Sequence, residues 1–138
     1  MAGDGKAVAA ISPAVQALVA QPILTVVGTK RADATLQLNP AWFEFTDGYF
    51  WLNSNRWCTW PKNVQRDRDI TLNFIDASEP FRWASIHGRL ADVIPDPDHE
   101  FIDRLARRYS GRVFRELRPG EERITLKIEP VSVTGEMI

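Results

Sequence analysis

Two cations, a thiol, two indoles and a set of amide and hydroxyl donors crowd into residues 53–63, "NSNRWCTWPKN". Pro61 suits the first position of a helix over "PKNVQRD", which would leave the backbone N–H groups near Lys62 and Asn63 uncommitted at a pole that favours an anion. Arg56 and Lys62 bracket that pole, and Asn53, Ser54, Asn55 and Thr59 add neutral donors around it. Such a cluster can hold a phosphate. It also reads as an ordinary polar turn with a helix cap. Trp57 and Trp60 favour the ligand, because an exposed indole in a turn is costly unless it covers a bound molecule or a partner subunit.

Other chemistries find less support. His87, His99 and Cys58 are the only His and Cys residues, and none lies at a ligand spacing from another, so no metal site is expected. Arg56 would favour the thiolate of Cys58, yet no signature pairs that thiol with a histidine, which makes a catalytic cysteine a minority reading. Arg104, Arg107 and Arg108 fall off the apolar stripe of their helix and read as a solvated face. "HGR" at 87–89 is too short for a phosphate loop.

The elements that must position this stretch follow from the pattern. Ser12 caps a first helix with Pro13 at its start, and Val15, Leu18 and Val19 recur at helical spacing. "ILTVVGTKR" is a β-branched run. "ATLQLNPAWFEF" alternates, with Pro40 marking a break or bulge, and Asp47-Gly48 predicts a hairpin into "YFWL". "ITLNFID" is a strand, "FRWASIHGRLADVI" a strand bent at Gly88, and Asp96-Pro97 opens a helix carrying Phe101, Leu105 and Tyr109. "RITLKIE" alternates strictly, with Ile124, Leu126 and Ile128 inward. The expectation is a mostly β protein, a six-stranded antiparallel barrel with short flanking helices. At 138 residues, 44% apolar and 25% charged, it reads as one domain over residues 1–138, with 1–10 a flexible N-terminus. A net charge of -1 gives no electrostatic footprint for nucleic acid or an anionic membrane, and no run suits a span or signal peptide, so a cytoplasmic location is expected.

The order and wording of "ATLQLNPAWFEF", the "DG" hairpin, "KNVQRDRDITLNFID", "FRWASIHGRLADV", "HEFIDRLARRYSG" and "PGEERITLKIEPVSV" resemble the split β-barrel, pyridoxamine 5'-phosphate oxidase-like superfamily. Within it the likeness is to small oxidoreductases dependent on flavin or the deazaflavin coenzyme F420. The resemblance implies a homodimer with two sites at the subunit interface. It places the tricyclic ring near Asn39, Pro40, Ala41 and Trp42 and near Leu52, Asn53 and Ser54. The phosphate then lies over Asn55, Arg56, Trp57, Thr59, Trp60, Lys62 and Asn63, and Trp83 forms a substrate or partner-chain wall. Cys58 and Trp60 depart from the pattern, because relatives that bind a cofactor commonly carry Arg and Lys there. Each charge-assisted hydrogen bond so lost is worth ~1.5–3 kcal/mol.

No acid, base or nucleophile set is visible, which suits chemistry carried by a cofactor. The resemblance implies hydride transfer from reduced coenzyme F420, or alternatively FMN, to a planar conjugated small molecule. A second reading keeps the barrel and the dimer without a cofactor: a binding protein or cofactor-independent enzyme with a pocket walled by Trp42, Trp57, Trp60 and Trp83. A third makes the tryptophans a contact with another macromolecule.

Overall fold

The computed structural model describes residues 9–138. Most of the expected flexible stretch, residues 1–10, lies outside them; within them the Ala9 N–H donates to the Pro130 carbonyl at 2.9 Å.

Helix α1 (Pro13–Val19) forms as its sequence dictates: the Ser12 hydroxyl accepts the Val15 N–H at 3.2 Å, and Val15, Leu18 and Val19 are buried. Strands β1 (Thr25–Lys30), β2 (Leu36–Ala41), β3 (Glu44–Thr46), β4 (Tyr49–Asn55), β5 (Asp69–Ile75), β6 (Trp83–Pro95) and β7 (Arg123–Glu136) form one antiparallel sheet in the order β2-β1-β5-β6-β7-β4-β3. Helix α2 (Thr59–Asp67) joins β4 to β5, and α3 (Glu100–Ser110) joins β6 to β7.

Two long strands join the halves of the barrel. β6 pairs with β5 along its first half and with β7 along nearly all of its length, with register shifts at His87/Gly88 and Leu90/Asp92 where the pair bends. Gly88 is required there, because a Cβ at that position would stand 2.5 Å from Ile128 Cγ2 and 3.3 Å from Ile70 Cγ2. The inward residues of β5, β6 and β7, among them Leu72, Ile86, Ile124, Leu126 and Ile128, pack against Phe43, Phe50 and Phe74 in the core.

Three expectations are corrected. Among the described residues there are seven strands, not six, because "ATLQLNPAWFEF" is two: the break falls at Trp42-Phe43, where Phe43 turns fully into the core, and not at Pro40. Pro40 sits inside β2 without a bulge because β2 is an edge strand paired only with β1. The last helix begins at Glu100, not at Asp96-Pro97; the Asp96 carboxylate reaches forward and accepts the N–H groups of Phe101 (3.2 Å) and Ile102 (3.0 Å). Arg108 is not on a solvated face. Its guanidinium donates to the carbonyls of Val19 (3.3 Å) and Gln21 (2.7 Å) at the end of α1 and lies over the Phe43 ring.

Candidate functional site: the N-terminal pole of α2 and the outer sheet groove

β4 ends at Asn55, whose side-chain oxygen accepts the N–H groups of Trp57 (3.0 Å) and Cys58 (3.1 Å) and so turns the chain into α2. The helix starts two residues earlier than Pro61, with Cys58 as N-cap and no side-chain cap bond. The uncommitted donors therefore shift from the Lys62 and Asn63 region to the N–H groups of Thr59 and Trp60, since Pro61 has none to give. Thr59 and Lys62 are exposed, and the Lys62 side chain has no hydrogen bond or ion pair among the described residues. Arg56 pairs with the exposed carboxylate of Glu122 at 3.3 Å. The pole thus gathers two N–H groups, a hydroxyl and one free ammonium, a donor set suited to an anion.

The rest of the predicted set is placed unevenly. Trp60 is 7% exposed and belongs to the core; with Val64 one turn later it forms the apolar face of α2. Its indole is a packing residue and not the exposed ring expected of a turn. Asn63 is also buried, donating to Thr29 Oγ1 and Gln37 Oε1, both at 3.1 Å, and fastening α2 to β1 and β2. Leu52 is core, and Ser54 is buried. Asn53 donates to Asp96 Oδ2 (3.1 Å) and Thr125 Oγ1 (3.2 Å) and accepts from Arg123 Nε (2.9 Å), so its side chain is committed. Trp57 is half-exposed, with Gly120 beside it.

Trp42, just beyond β2, stacks on Tyr109 at 5.3 Å and meets the edge of Phe114 at 6.3 Å. Burial pushes the Tyr109 phenol up. Arg115 and Arg123 both lie over Phe114, and both donate to Glu121, whose side chain is fully buried. The hydrogen bonds from Arg115 are the largest cause holding the Glu121 carboxyl down at about 2. Trp83 lies opposite Ile75 at the far end of β5 from α2, roughly 20 Å along the strand. The four tryptophans therefore do not converge on one pocket within a protomer. Near the predicted ring position, Asn39 and Ala41 are half-buried and Pro40 is exposed; the Asn39 Oδ1 is buried without a partner among the described residues. An orphaned acceptor there suits a ring that offers an N–H, as the pole of α2 suits an anion.

Sequence reasoning missed a groove of about 990 Å³ on the outer face of β1, β2, β5 and β6. Val27 and Thr29 point into the core, so Val26, Gly28 and Lys30 point out, beside Leu36 and Leu38, which are 71% and 69% exposed. Leu38, Gly28, Thr71 and His87 form one row across four strands. The signal was present as the alternation of β2, but a period of two does not say which face is buried.

No family model and no curated protein matches the chain. Solved structures do. An F420 reductase is 23% identical over 86% of this chain and 94% of its own, with a TM-score of 0.80. A conserved Mycobacterium tuberculosis protein is 18% identical over 91% and 84%, with a TM-score of 0.71. A Listeria innocua protein named for pyridoxamine 5'-phosphate oxidase is 16% identical over 87% and 93%, with a TM-score of 0.64. At such identities it is the path of the chain that is shared, and that path, with its seven-stranded antiparallel sheet and three short helices, is the pyridoxamine 5'-phosphate oxidase-like split β-barrel.

Proposed function

We propose that the protein is an oxidoreductase that transfers a hydride from reduced coenzyme F420, with FMN as the alternative, to a planar conjugated small molecule. The observation that carries this reading is the uncommitted pole of α2, with Lys62 unpaired beside it, on a fold shared with an F420 reductase. When bound, the cofactor supplies the hydride; the chain supplies position and electrostatics. Lys62 and the N–H groups of Thr59 and Trp60 bind the phosphate, with Thr59 donating its hydroxyl. Arg56 joins them on leaving Glu122, a surface pair that costs ~0–1 kcal/mol to break. Asn39 Oδ1 accepts an N–H from the ring. Trp42, held flat by Tyr109, walls the end of β2.

The working unit in this reading is a homodimer. Leu24, Ile75, Phe81, Trp83 and Met137, all but Trp83 at least half-exposed, gather at the end of the sheet remote from α2 and form the surface a second copy covers. Titration with coenzyme F420 and with FMN, read by tryptophan fluorescence, tests the cofactor. Saturable quenching at micromolar concentration is expected for F420. No response to either would remove the redox reading and leave the fold intact. One observation favours a second reading, a binding protein without cofactor: Cys58 and the buried Trp60 stand where basic residues would strengthen the phosphate grip. Uptake of a planar metabolite by protein that ignores both cofactors is its signature.

A further inference from the structure

β4 and β7 run side by side to the register pair Asn55 and Arg123, and the pairing goes one step further: the Arg56 N–H donates to the Glu122 carbonyl at 3.1 Å. Their side chains meet just past the ends of the two strands, where the chain turns into α2, with Arg56 Nε 3.3 Å from a Glu122 carboxylate oxygen. The backbone contact keeps Glu122 there whether or not the ion pair is made. Both side chains are well exposed, at 45% and 71%, so the pair contributes little to folding. Its effect falls on the pole of α2, where it puts a negative charge against one of the cations a phosphate would use.

The neighbouring charges are otherwise placed. Arg115 and Arg123 hold the buried Glu121. Arg118 opens a turn whose carbonyl accepts the Glu121 N–H at 3.0 Å, and its guanidinium has no partner among the described residues. On the α2 side stand Lys62 and the Cys58 thiol. His87 pairs with Asp69 beyond the other end of α2, and His99 caps α3. Among the described residues Glu122 is therefore the one carboxylate paired with a cation of the pole.

When Arg56 turns to a bound phosphate, it leaves that carboxylate unpaired beside the ligand. The resulting repulsion is proportional to the charge the ligand carries. A phosphate monoester, as in FMN, carries about two negative charges above its second ionisation near pH ~6, whereas a phosphodiester, as in coenzyme F420, carries one. We propose that Glu122 is a specificity-determining residue, which sets the site to prefer a singly charged phosphodiester over a doubly charged phosphomonoester. The proposal rests on the oxidoreductase reading and adds to it a rule for choosing between its two cofactors.

The test uses the full chain and three ligands with one ring in common: FMN, riboflavin 4',5'-cyclic phosphate, which is a diester, and uncharged riboflavin. Dissociation constants are read by flavin fluorescence for the wild type and for Glu122→Gln. If the substitution tightens the cyclic diester about threefold, proportionality to charge requires about tenfold for FMN at pH 7.5 and no change for riboflavin. At pH 5.5 the FMN gain should fall toward that of the diester, which controls for any protein group titrating in the interval. Asp47→Asn removes an equal charge in the turn at the opposite end of β4 and should alter neither ligand. Equal gains for FMN and the diester at pH 7.5 would overturn the proposal, as would no gain for either or the same gains from Asp47→Asn. Wild-type protein that binds neither these flavins nor coenzyme F420 would remove the oxidoreductase reading and this proposal with it, whereas binding at a ratio that Glu122→Gln leaves unaltered would remove the proposal alone.

Discussion

At the residue scale the decisive contrast is between Lys62 and Trp60, which stand on either side of Pro61 in opposite environments. Lys62 is exposed and unpaired among the described residues, so Lys62→Ala should weaken F420 or FMN binding by about tenfold while changing folding stability by no more than ~0.5 kcal/mol. Fluorescence titration beside urea unfolding checks both halves of that statement. Trp60 is sealed into the core, so restoring a basic residue by Trp60→Lys would leave a cavity and a buried ammonium, at a cost of ~3–5 kcal/mol, with no gain in phosphate affinity. Urea unfolding and cofactor titration of that variant would read the two effects separately. Glu121 is the residue through which pH should act. Its carboxyl is lowered in the fold from 4.5 to about 2, so the stability it contributes is fully present above pH 4.5 and is lost as pH falls from 4.5 toward 2. Glu121→Gln should flatten that part of the stability curve and destabilise the protein at neutral pH, since Arg115 and Arg123 lose their shared acceptor.

At the scale of elements, α2 is set by one side chain upstream of it. Asn55→Ala removes the acceptor for the N–H groups of Trp57 and Cys58 and should cost about 1 kcal/mol in urea unfolding, with the α2 pole loosened in consequence. The sequence states some elements openly: Ser12-Pro13 for α1, the alternation of Ile124, Leu126 and Ile128 for β7, and a strand bent at Gly88 are all where the pattern places them. Other features depend on tertiary context. Pro40 signals a break in isolation, yet an edge strand has a side that needs no donor; the break at Trp42-Phe43 arises because Phe43 must enter the core. The start of α2 is hidden in the sequence for a similar reason, because Asn55 supplies the cap that Cys58 lacks, and no local motif announces it. Trp57 and Trp60 look alike in the sequence, yet Trp57 lies in the turn before α2 and Trp60 on the buried face of its first turn. The groove was illegible because it is built from four strands whose register no single stretch encodes.

For the whole molecule, the oxidoreductase reading requires a pair of chains, and the exposed apolar cluster around Phe81 and Trp83 is where they meet in that reading. Phe81→Glu should shift the solution mass from dimer to monomer, measured by light scattering, without altering the far-ultraviolet circular dichroism. The pairing of β6 with β7 has a dynamic consequence. Each half of the barrel includes part of both strands, so neither half can swing away from the other without tearing the ladder that they share. In amide hydrogen exchange, the middle of this pair should open only with global unfolding, whereas the segment 111–122, which has neither helix nor strand, should exchange through local fluctuations. A guest at the exposed pole of α2 is therefore received from outside, by a wall that does not part to admit it.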